Sequence, residues 1–129
     1  MFEVGVVAQF EAAHRLRGDF GPASRLHGHT YRVEVAARGP ALGPDGTLCD
    51  LGVLQRAVQD VVDDVHYRDL DEIPDFQGIN TTAEVVAGYL HREIVQQVGA
   101  RLRASGVRLL AVRVWESPLA WASYEAEIE

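Results

Sequence analysis

The sequence predicts an α+β domain, with two helices segregated onto one face of an antiparallel sheet. Three observations predict it. Two stretches near the start carry the composition and alternation of strands, two central stretches carry apolar residues at helical spacing, and two strand-like runs close the chain. The order strand, strand, helix, helix, strand, strand is what such a layer needs.

The elements follow in turn. Phe2 to Glu11 is rich in Val and Phe and reads as the first strand. Arg17 to Ser24 (RGDFGPAS) is a Gly/Pro-punctuated loop, the kind of surface segment that carries function. His29 to Arg38 alternates Tyr31, Val33 and Val35 against Arg32 and Glu34, a half-buried strand. A second loop, Gly39 to Gly46, leads to Asp50, placed to cap a helix over Leu51 to Val65 with apolar residues at 51, 54, 58, 61, 62 and 65. Thr81-Thr82-Ala83-Glu84 reads as a capping box before a second helix. That helix runs to about Ala104 with Val85, Leu90, Ile94, Val98 and Leu102 on its apolar side, and Ser105-Gly106 stops it. Leu109 to Glu116 and Trp121 to Ile128 form a closing hairpin about Ser117-Pro118. Two helices cover only one face of such a sheet. The other face is expected to carry small and apolar residues and, with its strand edges, to favour a closed homo-oligomer.

Length and composition narrow the function. The 129 residues make one domain, 1–129, large enough for a real core, and 47% hydrophobic with 24% charged residues is a globular balance. No apolar run approaches the roughly 20 residues of a membrane span, so no membrane partner is expected. The start, Met1-Phe2-Glu3-Val4, lacks a signal-peptide pattern, and the one cysteine, Cys49, permits no intrachain disulfide; the expectation is cytoplasmic. A net charge of −7 with scattered arginines argues against nucleic acid as a partner and leaves room for a small anionic substrate.

The chemistry concentrates in histidines. His27 and His29 stand two apart on a strand, so both imidazoles point to one face, and Gly28 between them adds no side chain. His14 follows the first strand, which can pair beside the second and bring a third nitrogen. Three neutral imidazoles suit Zn²⁺ and leave its fourth position open. On spacing alone, polar strand histidines that bind nothing are the favoured reading. His91, in mid-helix, reads as a solvated surface residue.

The run Phe10-Glu11-Ala12-Ala13-His14-Arg15-Leu16, followed by Arg25-Leu26-His27-Gly28-His29-Thr30-Tyr31, resembles the 6-pyruvoyl-tetrahydropterin synthase / 6-carboxy-tetrahydropterin synthase family. Cys49-Asp50-Leu51, Asp71-Glu72-Ile73-Pro74, Asn80 to Glu84 and Val114-Trp115-Glu116 agree with it in order along the chain. The resemblance implies a tunnelling fold (ββααββ), a trimeric barrel that usually stacks into a homohexamer, and sites between subunits. It also implies zinc on His14, His27 and His29, a lyase reaction on 7,8-dihydroneopterin triphosphate, and a place in queuosine or biopterin biosynthesis. Glu116 takes the pterin-anchoring role, as a carboxylate able to accept two parallel hydrogen bonds from the ring edge. Thr82 and Glu84 can line the pterin pocket, although helix capping explains both.

The chain departs from the family at its proton-transfer groups. The family's cysteine, four residues before His-Gly-His, is Ala23 here. Its Asp-His pair falls on His66 and Tyr67 without gaps, or on Val65 and His66 after a one-residue shift. Three substitutes offer themselves. Ser24 neighbours the vacant position but is a weak base unless activated; histidine, as at His66, ordinarily titrates near neutrality; Tyr67 has a phenol to donate. Each has a plain alternative, Ser24 as a turn residue and the other two as helix-end packing. Cys49 lies in another segment and is not a replacement. Two functions follow from different classes: a zinc-dependent pterin enzyme with altered side-chain chemistry, including carbon–carbon cleavage, or a pterin-binding paralogue without turnover. A third, a zinc-stabilised assembly protein, sits poorly with an open metal site.

Overall fold

The structure is a computed structural model describing residues 1–129. Its elements are β1 (Phe2–His14), β2 (His27–Gly39), α1 (Leu51–Asp63), β3 (Arg68–Asp69), α2 (Ala83–Ser105), β4 (Leu109–Ser117) and β5 (Ala120–Glu127). The sheet order is β3-β1-β2-β4-β5. All neighbours are antiparallel except β3, which runs parallel to β1 through Ala12 and Ala13. This is the expected α+β layer with one addition. Two residues of a strand carry no periodicity of their own, so β3 exists only because its backbone finds β1.

β1 and β2 pair over their full length, from Phe2 opposite Gly39 to His14 opposite His27. The strands thus run three and two residues further toward the histidines than their hydrophobic patterns extend. Alternation then sorts the side chains. Val6, Phe10, Ala12 and His14 of β1 are buried, as are Tyr31, Val33, Val35 and Ala37 of β2 and Leu110, Val112 and Val114 of β4. All of these but His14 sit in one cluster of 30 buried residues with the apolar sides of both helices, and Phe10 stacks on Tyr31 with ring centroids 4.7 Å apart.

Asp50 caps α1 as expected, accepting from the Gly52 and Val53 amides. The helix ends at Asp63 rather than Val65, and Leu51 at its start is exposed. The cap of α2 differs from expectation. Thr82, not Thr81, is the N-cap and accepts from the Val85 amide, so Glu84 is one position too early to complete a capping box. Thr81 is released for other bonds, and it is fully buried. Gly106 ends α2 in the left-handed region at φ 108°, where a side chain would be strained.

Two further expectations change. His91 is 7% exposed and its Nε2 bonds the Leu110 carbonyl at 3.1 Å, so it is an interior link between α2 and β4, not a surface residue. The sheet face away from the helices is not chiefly small and apolar. It carries Arg32 paired with Glu34, Arg38 with Glu3, the Trp115 indole donating to Glu34, and Arg113 stacked 3.9 Å over Trp121. Both misreadings came from treating strand and helix faces as uniform, while tertiary neighbours decide each position. No helix is long and apolar enough to cross a membrane.

Candidate metal centre

His14 ends β1 opposite His27, which opens β2, and His29 faces Ala12 on the next helix-side position. Register alone therefore stacks three imidazoles at one end of the covered face. One nitrogen from each lies within 4.8 Å of the others, and the ring centroids are 4.6, 4.8 and 5.1 Å apart.

The hydrogen bonds decide which nitrogens are free. His14 Nδ1 lies 2.8 Å from the Thr81 carbonyl, and His27 Nδ1 lies 2.7 Å from the Arg25 carbonyl. A carbonyl only accepts, so both Nδ1 atoms carry the proton and both Nε2 atoms present lone pairs. His14 Nε2 sits 3.2 Å from His29 Nε2. Burial lowers the His29 pKa, the Glu116 carboxylate raises it, and the His14 and His27 imidazoles lower it again. The donor set is three converging imidazoles with no thiolate, which fits Zn²⁺ with an open position better than a hard, oxygen-seeking cation. Cys49 is buried at the head of α1, outside the cluster, and burial reinforced by Asp50 raises its pKa away from a reactive thiolate.

Two hollows flank this centre. One, of about 540 Å³, is lined by Leu16, Phe20, Thr82, Glu84, Glu116 and Trp121 among others. It brings together all three residues expected at the pterin ring. Glu116 reaches it as the next helix-side position of β4 after Val114, Thr82 as the cap of α2, and Glu84 from that helix's exposed first turn. The other, of about 440 Å³, lies at the β1 edge and is lined by Glu11, Gly28, His29, Thr30, Tyr67, Arg68 and Asp69 among others.

The three candidate proton-transfer residues divide differently. Ser24 is a turn residue: its hydroxyl donates to the Gly18 carbonyl and accepts from the Phe20 amide. His66 faces the backbone, its Nδ1 accepting from the Glu11 amide at 3.0 Å. Tyr67 is 79% exposed on the second hollow, with φ at 57°, a left-handed conformation rare for a bulky residue. Its amide donates to the Glu11 carbonyl at 2.7 Å, so the His66-Tyr67 turn is strapped to β1 by two bonds. Within one chain Tyr67 does not share the Glu116 hollow.

Two features lay outside the sequence reading. The Tyr31 hydroxyl is buried without a hydrogen-bond partner, and burial with Glu116 and Asp71 nearby raises its pKa. Asp71 bonds both Thr81 and the Arg15 amide. Thr81 had been assigned to a cap, and neither bond leaves a periodic signal.

Residues 3–127 match the family described as 6-pyruvoyl tetrahydropterin synthase. The chain belongs to that family. Among its relatives, the 6-carboxy-5,6,7,8-tetrahydropterin synthase of Bacillus subtilis is 31% identical over 95% of this chain and 84% of its own. The dihydroneopterin monophosphate aldolase of Pyrococcus furiosus is 29% identical over 84% of each. The solved 6-pyruvoyl tetrahydropterin synthase of Caenorhabditis elegans superposes with a TM-score of 0.82 at 27% identity, covering 97% of this chain and 95% of that one. Its relatives in the 6-pyruvoyl tetrahydropterin synthase family are pterin enzymes by name, and they include both synthases and an aldolase. Membership therefore leaves the bond that is broken open.

Proposed function

We propose that this chain is a zinc-dependent lyase acting on 7,8-dihydroneopterin triphosphate or a close relative, by triphosphate elimination or side-chain cleavage, in the cytoplasm and as a homo-oligomer, trimer or hexamer. The observation that carries it is the convergence of three imidazole nitrogens, two of them freed by carbonyl bonds, beside a hollow holding Glu116, Thr82 and Glu84. His14, His27 and His29 would hold the metal. Bound zinc supplies Lewis acidity, which polarises oxygens of the substrate side chain and loosens neighbouring protons.

The chain's own groups do the rest. Glu116 accepts paired hydrogen bonds from the pterin ring edge, which fixes the ring and sets the side chain toward the histidines. Thr82 and Glu84 line the same hollow. Proton transfer falls to Tyr67, the exposed phenol that the ungapped register sets at the family's histidine position, with His66 holding its turn. Tyr67 stands apart from Glu116 within the chain, so it serves a site completed by a neighbouring subunit, as the family resemblance implies. Ser24 is committed to its own turn and is the weakest of the three.

A second reading has its own support. Ala23 at the cysteine position, together with His66 and Tyr67 at the Asp-His positions, also suits a pterin-binding paralogue without turnover. One experiment separates the two. Zinc-loaded protein is incubated with dihydroneopterin triphosphate while released triphosphate and pterin products are followed. Products that vanish in His27→Ala support the lyase; tight binding with no product supports the paralogue; and freshly purified protein free of zinc overturns both.

A further inference from the structure

His14 differs from its two companions in how it is held. His27 leans on a carbonyl two residues away in its own segment. His14 is held by a distant part of the chain, by Thr81, 67 residues further along. The ring is 1% exposed, and its Nδ1–H is shared between the Thr81 carbonyl at 2.8 Å and the Thr81 hydroxyl oxygen at 3.2 Å. That hydroxyl, itself fully buried, donates to Asp71 Oδ1 at 2.8 Å. The other oxygen of the same carboxylate, Oδ2, accepts from the backbone amide of Arg15 at 2.9 Å, and Arg15 is the residue next to His14.

We propose that Asp71 is the positioning residue of the metal centre, one carboxylate that braces His14 through its ring and through its backbone at once. The inference rests on reading the three histidines as metal ligands. Asp71 is suited to the task because it is itself immobilised: its amide donates to Asp69 Oδ1 at 3.0 Å, and its carbonyl accepts from Gln77 Nε2 at 2.8 Å. The Thr81 hydroxyl has one proton. Asp71 takes it, so the oxygen can only accept from His14, and the His14 Nε2 lone pair stays turned to the other two nitrogens. Such outer partners fix the tautomer and orientation of a ligand and raise its basicity. The brace also ties the chain leaving β1 to the loop that joins the helices, a link continued by Arg17 and Asn80, which exchange two bonds. Metal binding and the order of the 71–81 segment are then one equilibrium.

The test measures binding of Co²⁺ and Zn²⁺ by competition with a chromophoric chelator, together with the visible spectrum of bound Co²⁺, which reports ligand geometry. Asp71→Ala and Thr81→Val are expected to weaken both metals by about ten- to a hundredfold and to shift the Co²⁺ bands; Thr81→Ser, which keeps the hydroxyl, is expected to restore both. Thermal unfolding in chelator checks that each variant is folded, and the Thr81 pair decides the matter if Asp71→Ala is not. Unchanged affinity and spectrum in folded Asp71→Ala would overturn the inference, as would Thr81→Ser behaving like Thr81→Val. Failure of the underlying reading looks different, because the unaltered protein itself would then bind no metal, or His27→Ala would bind as well as it does.

Discussion

His14, His27 and His29 stand at the ends of two strands paired over 13 residues, whereas Ser24, His66 and Tyr67 stand on a loop and a turn. The first set is placed by sheet register, which a single slip would turn to the other face. In the second, Ser24 is placed by bonds within its own loop, and His66 and Tyr67 by two bonds to the backbone of Glu11 on β1. The geometry of a metal site tolerates little error, and strands supply that precision. Groups on turns can be exchanged without disturbing the sheet, and it is at those turns that the family resemblance implies a departure.

Five substitutions, one of them followed across pH, test this contrast. The largest effect is expected for His14→Ala, which removes a ligand outright and lowers zinc affinity by more than about a hundredfold, beyond what an outer-shell loss costs. Metal content after dialysis reads this directly. Tyr67→Phe should lower product formation by about 10²- to 10⁴-fold, the range for a lost general acid or base, with bound zinc unchanged. A Tyr67→Phe enzyme with full turnover would remove the phenol from the scheme. Glu116→Gln replaces an acceptor-only carboxylate by an amide that cannot accept both ring-edge bonds, and should raise the pterin Kd by about ten- to a hundredfold, each hydrogen bond to a charged group contributing about 1.5–3 kcal/mol. Calorimetric titration with a non-hydrolysable pterin checks it.

His91 offers a control, a histidine buried for packing and not for ligation. Burial lowers its pKa, while the carbonyls of Leu110 and Ala126 pull it upward. With the folded value below the unfolded one near 6.5, its stabilising contribution is complete above that pH. It declines as pH falls toward the folded value, because the unfolded chain takes up the proton more readily. Melting curves of His91→Gln between pH 7 and pH 5 should therefore fall less steeply than those of the unaltered protein. Ser24→Ala closes the series with the smallest effect, less than about 1 kcal/mol for a surface turn bond and no change in turnover. A large loss of turnover there would return Ser24 to the site.

Much of this was legible along the chain because it rests on periodicity or short-range chemistry. The alternation at Tyr31, Val33 and Val35, the Asp50 cap and the Gly106 stop each depend on neighbours within a few residues, and the structure has each of them. His91 was misread for the opposite reason. Its burial depends on β4 lying over α2, a contact between residues 19 apart in sequence that no local pattern encodes. Thr81 was misassigned because either of two adjacent threonines can cap a helix, and only the buried His14 ring draws one of them away.

The layer architecture, the placing of His27 and His29 on one strand face, and Ala23 where the family resemblance implies a cysteine were all readable along the chain, since they are properties of spacing and identity. Only the tertiary structure decided that His14 completes the cluster, that Glu116 shares a hollow with Thr82 and Glu84, and that Asp71 braces the centre through Thr81. Each of these joins residues brought together by strand register or by loops crossing in space, and the free energy that holds them there comes from the packed core, not from the segments themselves.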